Sequence, residues 1–446
     1  MSQNKAKSTY TKFIINKKVV ERAFLIGLYG ENVSKAEYQD SMEELRRLAE
    51  TAETEVIANF TQQLDKANPA TWIGKGKLQE IISEANKQQV NTLIFNDNLS
   101  PAQARNIAKM SKCNIVDRTE LILDIFSKHA KTRESKIQVE LAQLEYSYSK
   151  LRNLWQHFSR IEGGVIGVRG PGEKQIEMDR RLIKSRIALL KEKLADIRRV
   201  TETKRKRRDN ILSICLVGYT NAGKSTLFNQ LTNSGIYTAD KLFATLDATT
   251  RTVKRKTKEK ILVTDTIGFI NHLPPLLVQS FYSTLYEVQA ADLLLHVVDA
   301  SNTRINELIE SVDLVLKDIQ ADDKNMLIVF NKWDLCNSLT ALFLKKQLGE
   351  RYPDSVFISA KTGLNLELLY DKIDYYIKKR RKTVDYKIPA EMANLLSFIH
   401  QSAYIIDMAF NEESNEYDMK IEIDYKYIDQ IDTQLKEWSI KKYINS

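Results

Sequence analysis

Residues 218–226 read Gly218-Tyr219-Thr220-Asn221-Ala222-Gly223-Lys224-Ser225-Thr226, a glycine loop closed by Lys-Ser. In such a loop successive backbone N–H groups turn inward on a β-phosphate. The lysine lays a point charge on the β- and γ-phosphates, and the hydroxyl after it ligates Mg2+. An ordinary glycine turn has no need of Lys224-Ser225 directly after its second glycine. Asp265-Thr266-Ile267-Gly268 follows at the end of an apolar run, where Asp265 is placed to hold Mg2+ through water and the Gly268 N–H to meet the γ-phosphate. Farther on stands Asn331-Lys332-Trp333-Asp334. A carboxylate there accepts from N1–H and the exocyclic amine of guanine; adenine lacks both donors and leaves it unsatisfied. Asn331 and Asp334 are therefore read as base-binding, Lys332 as a cover over the base, and Ser359-Ala360-Lys361 as the loop that meets the guanine carbonyl. A lone P-loop says only phosphate. These elements in this order select GTP as substrate and Mg2+ as cofactor.

Hydrolysis also needs a hydroxyl that reports the γ-phosphate through Mg2+. Thr245, Thr249 and Thr250 all lie in the right interval; Thr245 is preferred, with the other two expected to hydrogen-bond locally. Ser225, Thr245 and Asp265 form the expected metal set, and Lys224, Thr245 and Gly268 are the residues expected to act on the γ-phosphate. Ras-type GTPases follow this glycine with a glutamine that orients the attacking water. Here Phe269 stands in that place, which predicts slow intrinsic turnover, with the water positioned by another group or by a partner. Arg251 is the one arginine named as a finger candidate in cis.

The elements that must position these residues come from hydrophobic patterning. The chain has 446 residues, 43% apolar and 28% charged, which is a globular composition with room for several cores. To about residue 118, apolar runs at 23–28, 56–60, 92–95 and 114–116 alternate with helical stretches at 41–50, 77–87 and 101–110, predicting a small α/β domain with a mostly parallel sheet. A heptad stripe follows through Ile137, Leu141, Leu144, Tyr148, Leu151, Trp155 and Phe158, and a second through Ile183, Ile187, Leu190, Leu194 and Ile197, which predicts a long antiparallel helical hairpin. From about 210 to 380, strands at 213–217, 253–257, 260–264, 293–298, 326–330 and 355–358 build a doubly wound P-loop sheet. The tail has enough apolar positions, such as Leu395, Ile421 and Ile423, for a small α+β domain. The boundaries read 1–118 for the N-terminal α/β domain, 119–209 for the hairpin with its glycine-rich tip, 210–382 for the nucleotide domain and 383–446 for the C-terminal domain.

Net charge is +9 with a pI near 9.1, and the surplus is concentrated: residues 127–208 carry 22 Lys/Arg against 10 Asp/Glu. A basic hairpin beside a GTP switch suits a nucleic-acid phosphate backbone, though a charge run is otherwise just a solvated face. Five of the fifteen glycines fall between Gly163 and Gly172, more than a helix reversal requires. That segment reads either as a tip whose backbone approaches a partner closely, with Arg169 as charged contact, or as a long turn. Lys174 beside it, and Lys75 and Lys77 in Gly74-Lys75-Gly76-Lys77, are the other expected RNA contacts; the last pair reads equally as an ordinary helix entry. Cys113, Cys215 and Cys336 are sparse and show no metal spacing, fitting a reducing compartment. Residues 1–12 are polar, and no stretch approaches the roughly 18–20 apolar residues of a membrane span. A cytoplasmic protein without a membrane partner is expected.

Distinctive stretches run along the chain: Thr71-Trp72-Ile73-Gly74-Lys75-Gly76-Lys77, Leu99-Ser100-Pro101-Ala102-Gln103, Asp117–Phe126, Gln138–Leu144, Phe243-Ala244-Thr245-Leu246-Asp247, Asp265–Ile270 and above all Arg169-Gly170-Pro171-Gly172-Glu173. In these, and over nearly its whole length, the chain resembles the HflX family of ribosome-associated GTPases. The resemblance implies a monomeric GTPase that binds the large ribosomal subunit, rRNA and ribosomal proteins together, and separates stalled or idle ribosomes into subunits. It supports Thr245 as the switch threonine, adds Phe243, Ala244, Leu246 and Asp247 to the GTP-binding set, and accounts for Phe269 in the glutamine position. ATP binding by the N-terminal domain is attributed to some members, but no second P-loop is visible. Lys174, Ala248 and Pro275 depart from the family's threonine, proline and histidine. The change at Lys174 suggests a paralogue that protects ribosomes from peptidyl-transferase-centre antibiotics. The other reading of the chain is a GTP-switched RNA-binding factor in large-subunit assembly or quality control.

Overall fold

In a computed structural model of the protein, the residues described are 21–31, 33–161, 171–206, 211–233, 235, 242–254, 260–270 and 282–445. The chain falls into two compact units: residues up to Lys128 with Val139–Ala188, and His129–Gln138 with everything from Leu189 onward.

In the first unit, β1 (Glu21–Tyr29), β2 (Thr54–Gln63), β3 (Thr92–Phe95) and β4 (Asn114–Asp117) form one parallel sheet in the order β2-β1-β3-β4. Crossover helices α1 (Lys35–Thr51), α2 (Lys75–Lys87) and α3 (Pro101–Ser111) join them, and α4 (Arg118–His129) follows β4. The first helix begins at Lys35, ahead of the expected residue 41, because Ser34 closes a capping box with Glu37; Ser100 and Gln103 start α3 in the same way. The core is the apolar face of this sheet, where Phe24, Ile26, Trp72, Leu78, Leu93 and Phe95 cluster.

Two long helices follow, α5 (Arg133–Ile161) and α6 (Pro171–Lys206). Arg186 pairs with Glu140 at 2.7 Å, and the Arg180 guanidinium lies over the Tyr148 ring, so the α6 partners step backward as α5 advances and the pair runs antiparallel. Of the two stripes, Ile137, Leu141, Leu190 and Leu194 are buried; the side chains of Leu151, Trp155 and Phe158 lie outside the described residues. So do Gly163–Gly170, Arg169 among them, and the Lys174 side chain, while Pro171 and Gly172 belong to the start of α6. Asp117, at the end of β4 and wholly buried, accepts from the Tyr146 hydroxyl at 2.5 Å and from Lys150 Nζ at 2.8 Å, anchoring α5 to the sheet.

In the second unit, β5 (Leu212–Val217), β6 (Thr249–Lys254), β7 (Lys260–Asp265), β8 (Leu293–Asp299), β9 (Met326–Asn331) and β10 (Val356–Phe357) form a sheet in the order β10-β9-β8-β5-β7-β6. All neighbours are parallel except β6 with β7. β6 starts four residues before the expected strand at 253, because Thr249 and Thr250 pair with Asp265 and Thr264 across the ladder. α7 (Lys224–Thr232), α8 (Tyr282–Gln289), α9 (Ile305–Asp318), α10 (Ser338–Arg351) and α11 (Leu366–Lys379) complete this doubly wound P-loop fold. An antiparallel sheet of β11 (Arg381–Pro389), β12 (Ala403–Asn411) and β13 (Glu416–Asp424), in the order β11-β13-β12, carries α12 (Ala393–Ser402) and α13 (Ile428–Asn445). Within the basic run Lys378-Lys379-Arg380-Arg381-Lys382, Arg380 pairs with Asp292 at 2.7 Å and Asp424 at 2.8 Å, joining the two sheets. Against the upward push of burial, the Ser213 amide and Arg380 hold the Asp292 carboxyl below its usual range.

Candidate functional site

The site forms at the carboxyl ends of β5, β7, β8 and β9, the edge where doubly wound sheets bind ligands. Residues 218–223 leave β5 and enter α7 at Lys224. Gly218 and Gly223 have φ of 143° and 92°, which L side chains rarely adopt. A Cβ at Gly218 would sit 2.2 Å from the Val297 carbonyl oxygen, and one at Gly223 2.2 Å from Asn331 Nδ2. Both positions thus require glycine on two counts.

The Lys224 side chain is buried, and its ammonium donates to the carbonyls of Gly218 at 3.0 Å and Tyr219 at 2.7 Å. Burial pulls its pKa down to about 8, against the opposing charge of Asp265. Thr226 follows Ser225 in the first turn of α7.

Three oxygens converge beside this lysine. Ser225 Oγ is 2.7 Å from Asp265 Oδ2 and 2.9 Å from Thr245 Oγ1, and Thr245 Oγ1 is 3.3 Å from Asp265 Oδ2. Thr249 and Thr250 lie in β6, where Thr250 Oγ1 is 2.9 Å from Thr264 Oγ1, so among the three threonines only Thr245 meets the P-loop serine. Burial pushes the Asp265 carboxyl up, against hydrogen bonds from Ser225 and Thr245 and the charge of Lys224. Its Oδ1 and the Thr220 hydroxyl are buried with no hydrogen-bond partner among the described residues. Hard oxygens and an unpartnered carboxylate oxygen are a donor set that suits Mg2+.

Gly268 lies against the P-loop: a Cβ there would come within 2.7–2.8 Å of Thr220 and 3.0 Å of Lys224 Nζ. The contact continues as a backbone bridge, with the Phe269 N–H donating to Gly218 O at 3.1 Å and the Thr220 N–H to Phe269 O at 2.7 Å. The Phe269 side chain is buried, a packing anchor rather than a group facing the phosphates. Thr266 is spent structurally, donating to Leu216 O at 2.6 Å, and Ile267 is buried. On the other switch, Phe243 and Leu246 are buried pegs either side of Thr245, while Ala244 is exposed.

At the base-side loops Asn331 is buried and committed in both directions: Nδ2 donates to Ala222 O and Oδ1 accepts from the Ala360 N–H, each at 2.9 Å. It braces the P-loop against 359–361, a role that its motif position did not reveal. Lys332 has φ 59° and pairs with Asp299 at 2.8 Å. Asp334 is exposed in a 3-10 turn, Trp333–Leu335, with no hydrogen-bond or ion-pair partner among the described residues. Ser359 and Ala360 are buried and Lys361 is exposed. Away from this site, in the first unit, Lys75 is exposed and Lys77 pairs with Glu80 at 2.8 Å as α2 begins.

His296, on β8 opposite Val217, was not singled out by sequence. It is buried with Nδ1 unpartnered among the described residues, and burial together with the Lys224 charge lowers its pKa from 6.5 to about 3. Between those values the unfolded chain binds a proton that the folded protein refuses, so stability falls as pH drops below about 6.5, by up to ~1.4 kcal/mol per pH unit. His296→Gln is expected to flatten that slope in urea denaturation compared at neutral and mildly acid pH.

Family models match the chain in three consecutive stretches: one described as GTP-binding GTPase N-terminal over residues 39–127, one as GTP-binding GTPase Middle Region over 129–208, and one as 50S ribosome-binding GTPase over 213–332. The GTPase HflX of Caldanaerobacter subterraneus subsp. tengcongensis is 40% identical over 395 residues, covering 88% of this chain and 89% of that protein. The chain belongs to the HflX family of GTPases. The HflX of Flavobacterium psychrophilum is 45% identical over 72% of this chain and 77% of its own length, and that of Escherichia coli K12 36% identical over 90% and 93%. A solved structure of a GTP-binding protein from the archaeon Sulfolobus solfataricus in complex with GDP, 28% identical, covers 79% of this chain and 98% of its own, with a TM-score of 0.44. As an HflX GTPase the protein binds GTP and hydrolyses it to GDP and phosphate. Among the described residues no helix is long and apolar enough to cross a membrane.

Proposed function

We propose that this HflX-family GTPase binds the large ribosomal subunit and splits stalled or idle ribosomes into subunits. The observation that carries this reading is the match over 213–332 to a model described as 50S ribosome-binding GTPase, joined in one chain to a helical hairpin bearing 22 Lys/Arg against 10 Asp/Glu over residues 127–208. Phosphate-backbone contact by such a segment is the physical reason for an RNA-rich partner. Arg169 and Lys174 at the hairpin tip, with Lys75 and Lys77, are proposed as the rRNA contacts.

Lys224 takes the β- and γ-phosphates, Ser225 and Thr245 ligate Mg2+ and Asp265 holds it through water. Residues 218–226, 243–246 and 265–268 surround the phosphates, with Asp247 acting on them through Thr245, and Asp334 with Lys332 and 359–361 holds guanine. Mg2+ held by these residues would supply positive charge that offsets the charge developing on the phosphates. Ser225 and Thr245 need only a small adjustment to face it, since both already converge on Asp265. Loss of the γ-phosphate frees Thr245 and Gly268, so binding in the GTP state drives splitting and hydrolysis releases the protein. With Phe269 buried, the attacking water is oriented by a group that the partner supplies or completes. The protein acts as a cytoplasmic monomer with the four-part organisation given above. The tip lysine, Lys174, marks a role in protection against antibiotics of the peptidyl transferase centre.

Sucrose-gradient sedimentation of intact ribosomes with the purified protein tests the reading. Splitting with GTP and with a non-hydrolysable analogue, but not with GDP, is the expected result. Ribosomes that stay whole while the protein co-sediments with free large subunits would replace it with an assembly or quality-control role.

A further inference from the structure

Thr245 is only one of two anchored points in its switch. Two residues on, the Asp247 carboxylate accepts the backbone N–H of Lys131 at 3.0 Å and of Thr132 at 3.3 Å on one oxygen, and the Thr132 hydroxyl at 2.6 Å on the other. Thr132 is at the same time the residue that starts α5: its Oγ1 accepts the Ser135 N–H at 3.1 Å and its carbonyl the Lys136 N–H at 3.1 Å. The Asp247 charge therefore sits at the amino end of a helix 29 residues long, where free N–H groups and the helix dipole favour an anion. Between clamp and hydroxyl lies only Leu246, which is buried, so the backbone from Asp247 to Thr245 has little slack. The carboxylate is 115 residues from its partner Thr132 in sequence, and its geometry is directional on both oxygens.

We infer that Asp247 is a positioning residue: by clamping to the amino end of α5 it holds Thr245 over the Ser225–Asp265 pair, and so ties the γ-phosphate-sensing hydroxyl to the first helix of the hairpin. The inference rests on reading Thr245 as the γ-phosphate-sensing threonine. Its consequence is mechanical. A partner that displaces α5 at its start draws Asp247 with it and opens the metal site, and a GTP state that fixes Thr245 fixes the start of α5.

The test uses the full-length protein without ribosomes, so it does not depend on what the hairpin binds. Affinities for GDP and for a non-hydrolysable GTP analogue with Mg2+ are measured by fluorescence for Asp247→Ala, Asp247→Asn, Thr132→Val, the Asp247→Ala/Thr132→Val pair and Thr245→Ala. Loss of charge-assisted hydrogen bonds on a switch predicts about a tenfold weaker analogue with GDP changed less than about twofold. Thr132→Val should act in the same direction, the pair should be no worse than Asp247→Ala alone, and Asp247→Asn, which keeps an acceptor, should recover part of the loss. Asp247→Ala with an unchanged analogue-to-GDP ratio, or a loss shared equally by GDP as a merely structural role would give, overturns the inference. Thr245→Ala reports separately: if it leaves the ratio unchanged, the reading of Thr245 fails, whatever Asp247 does.

Discussion

Asp334→Asn is expected to weaken GTP binding by about two to three powers of ten while strengthening binding of xanthosine triphosphate. In the proposed site the carboxylate would face two donors on guanine, N1–H and the exocyclic amine, and hydrogen bonds to a charged group contribute about 1.5–3 kcal/mol each. Replacing it by a carboxamide leaves one acceptor and turns the other position into an N–H aimed at an N–H, so most of ~3–4 kcal/mol is lost. Xanthine carries a carbonyl where guanine has the amine, and that carbonyl accepts the new donor. The exchange is clean because Asp334 makes no hydrogen bond inside the protein among the described residues, and its backbone is fixed independently. The Trp333 N–H donates to Ile358 O at 3.0 Å and the Leu335 N–H to Lys332 O at 2.9 Å, bonds that do not involve the substituted side chain. Competition titrations of GTP against xanthosine triphosphate on both proteins check this. A variant that still prefers GTP by the wild-type margin would mean that Asp334 does not read the base.

The phosphate cradle was legible in the sequence because its demands are local. Gly218 and Gly223 are needed for their φ and for the room their missing Cβ atoms leave, and Lys224-Ser225 must follow directly because α7 starts there. The mostly parallel sheets with crossover helices could be expected from the alternation of apolar runs and helical stretches, and the small C-terminal sheet from Ile421 and Ile423, which are fully buried on β13. What escaped was tertiary. Nothing beside Asp247 in sequence announces Thr132, and nothing around Arg380, read as part of a basic run, announces Asp292 and Asp424 on either side of it. Phe269 was identified by what it cannot do; its burial and its backbone bridge to Gly218 and Thr220 give it a positive role, fastening one switch to the P-loop. His296 carries no motif at all, and it is burial in the tertiary fold, with the Lys224 charge beside it, that lowers its pKa.

Asn331 is where motif and geometry separate most, and it yields a prediction of comparable size. Asn331→Ala is expected to weaken GDP and GTP alike by about a hundredfold or more, without changing base preference, because the amide's two hydrogen bonds among the described residues both go to protein partners. The side chain is 2% exposed and links Ala222 O to the Ala360 N–H, both of them in residues only 1% exposed. Its removal strands one buried acceptor and one buried donor, at about 1–3 kcal/mol each, which is enough for the stated loss. The P-loop then loses its stop on the side of Gly223, and residues 359–361 lose the bond that sets their distance from it. Asn331→Asp should fare no better: one oxygen still accepts from Ala360, but the other faces the Ala222 carbonyl with no proton between them. The two substitutions in this motif therefore diverge in kind, Asp334→Asn changing which nucleotide binds and Asn331→Ala how tightly any of them does. Parallel titrations with GDP, GTP and xanthosine triphosphate separate them. Equal affinities for wild type and Asn331→Ala would show that the P-loop keeps its shape without the brace and that the Asn331 side chain contributes nothing to nucleotide binding.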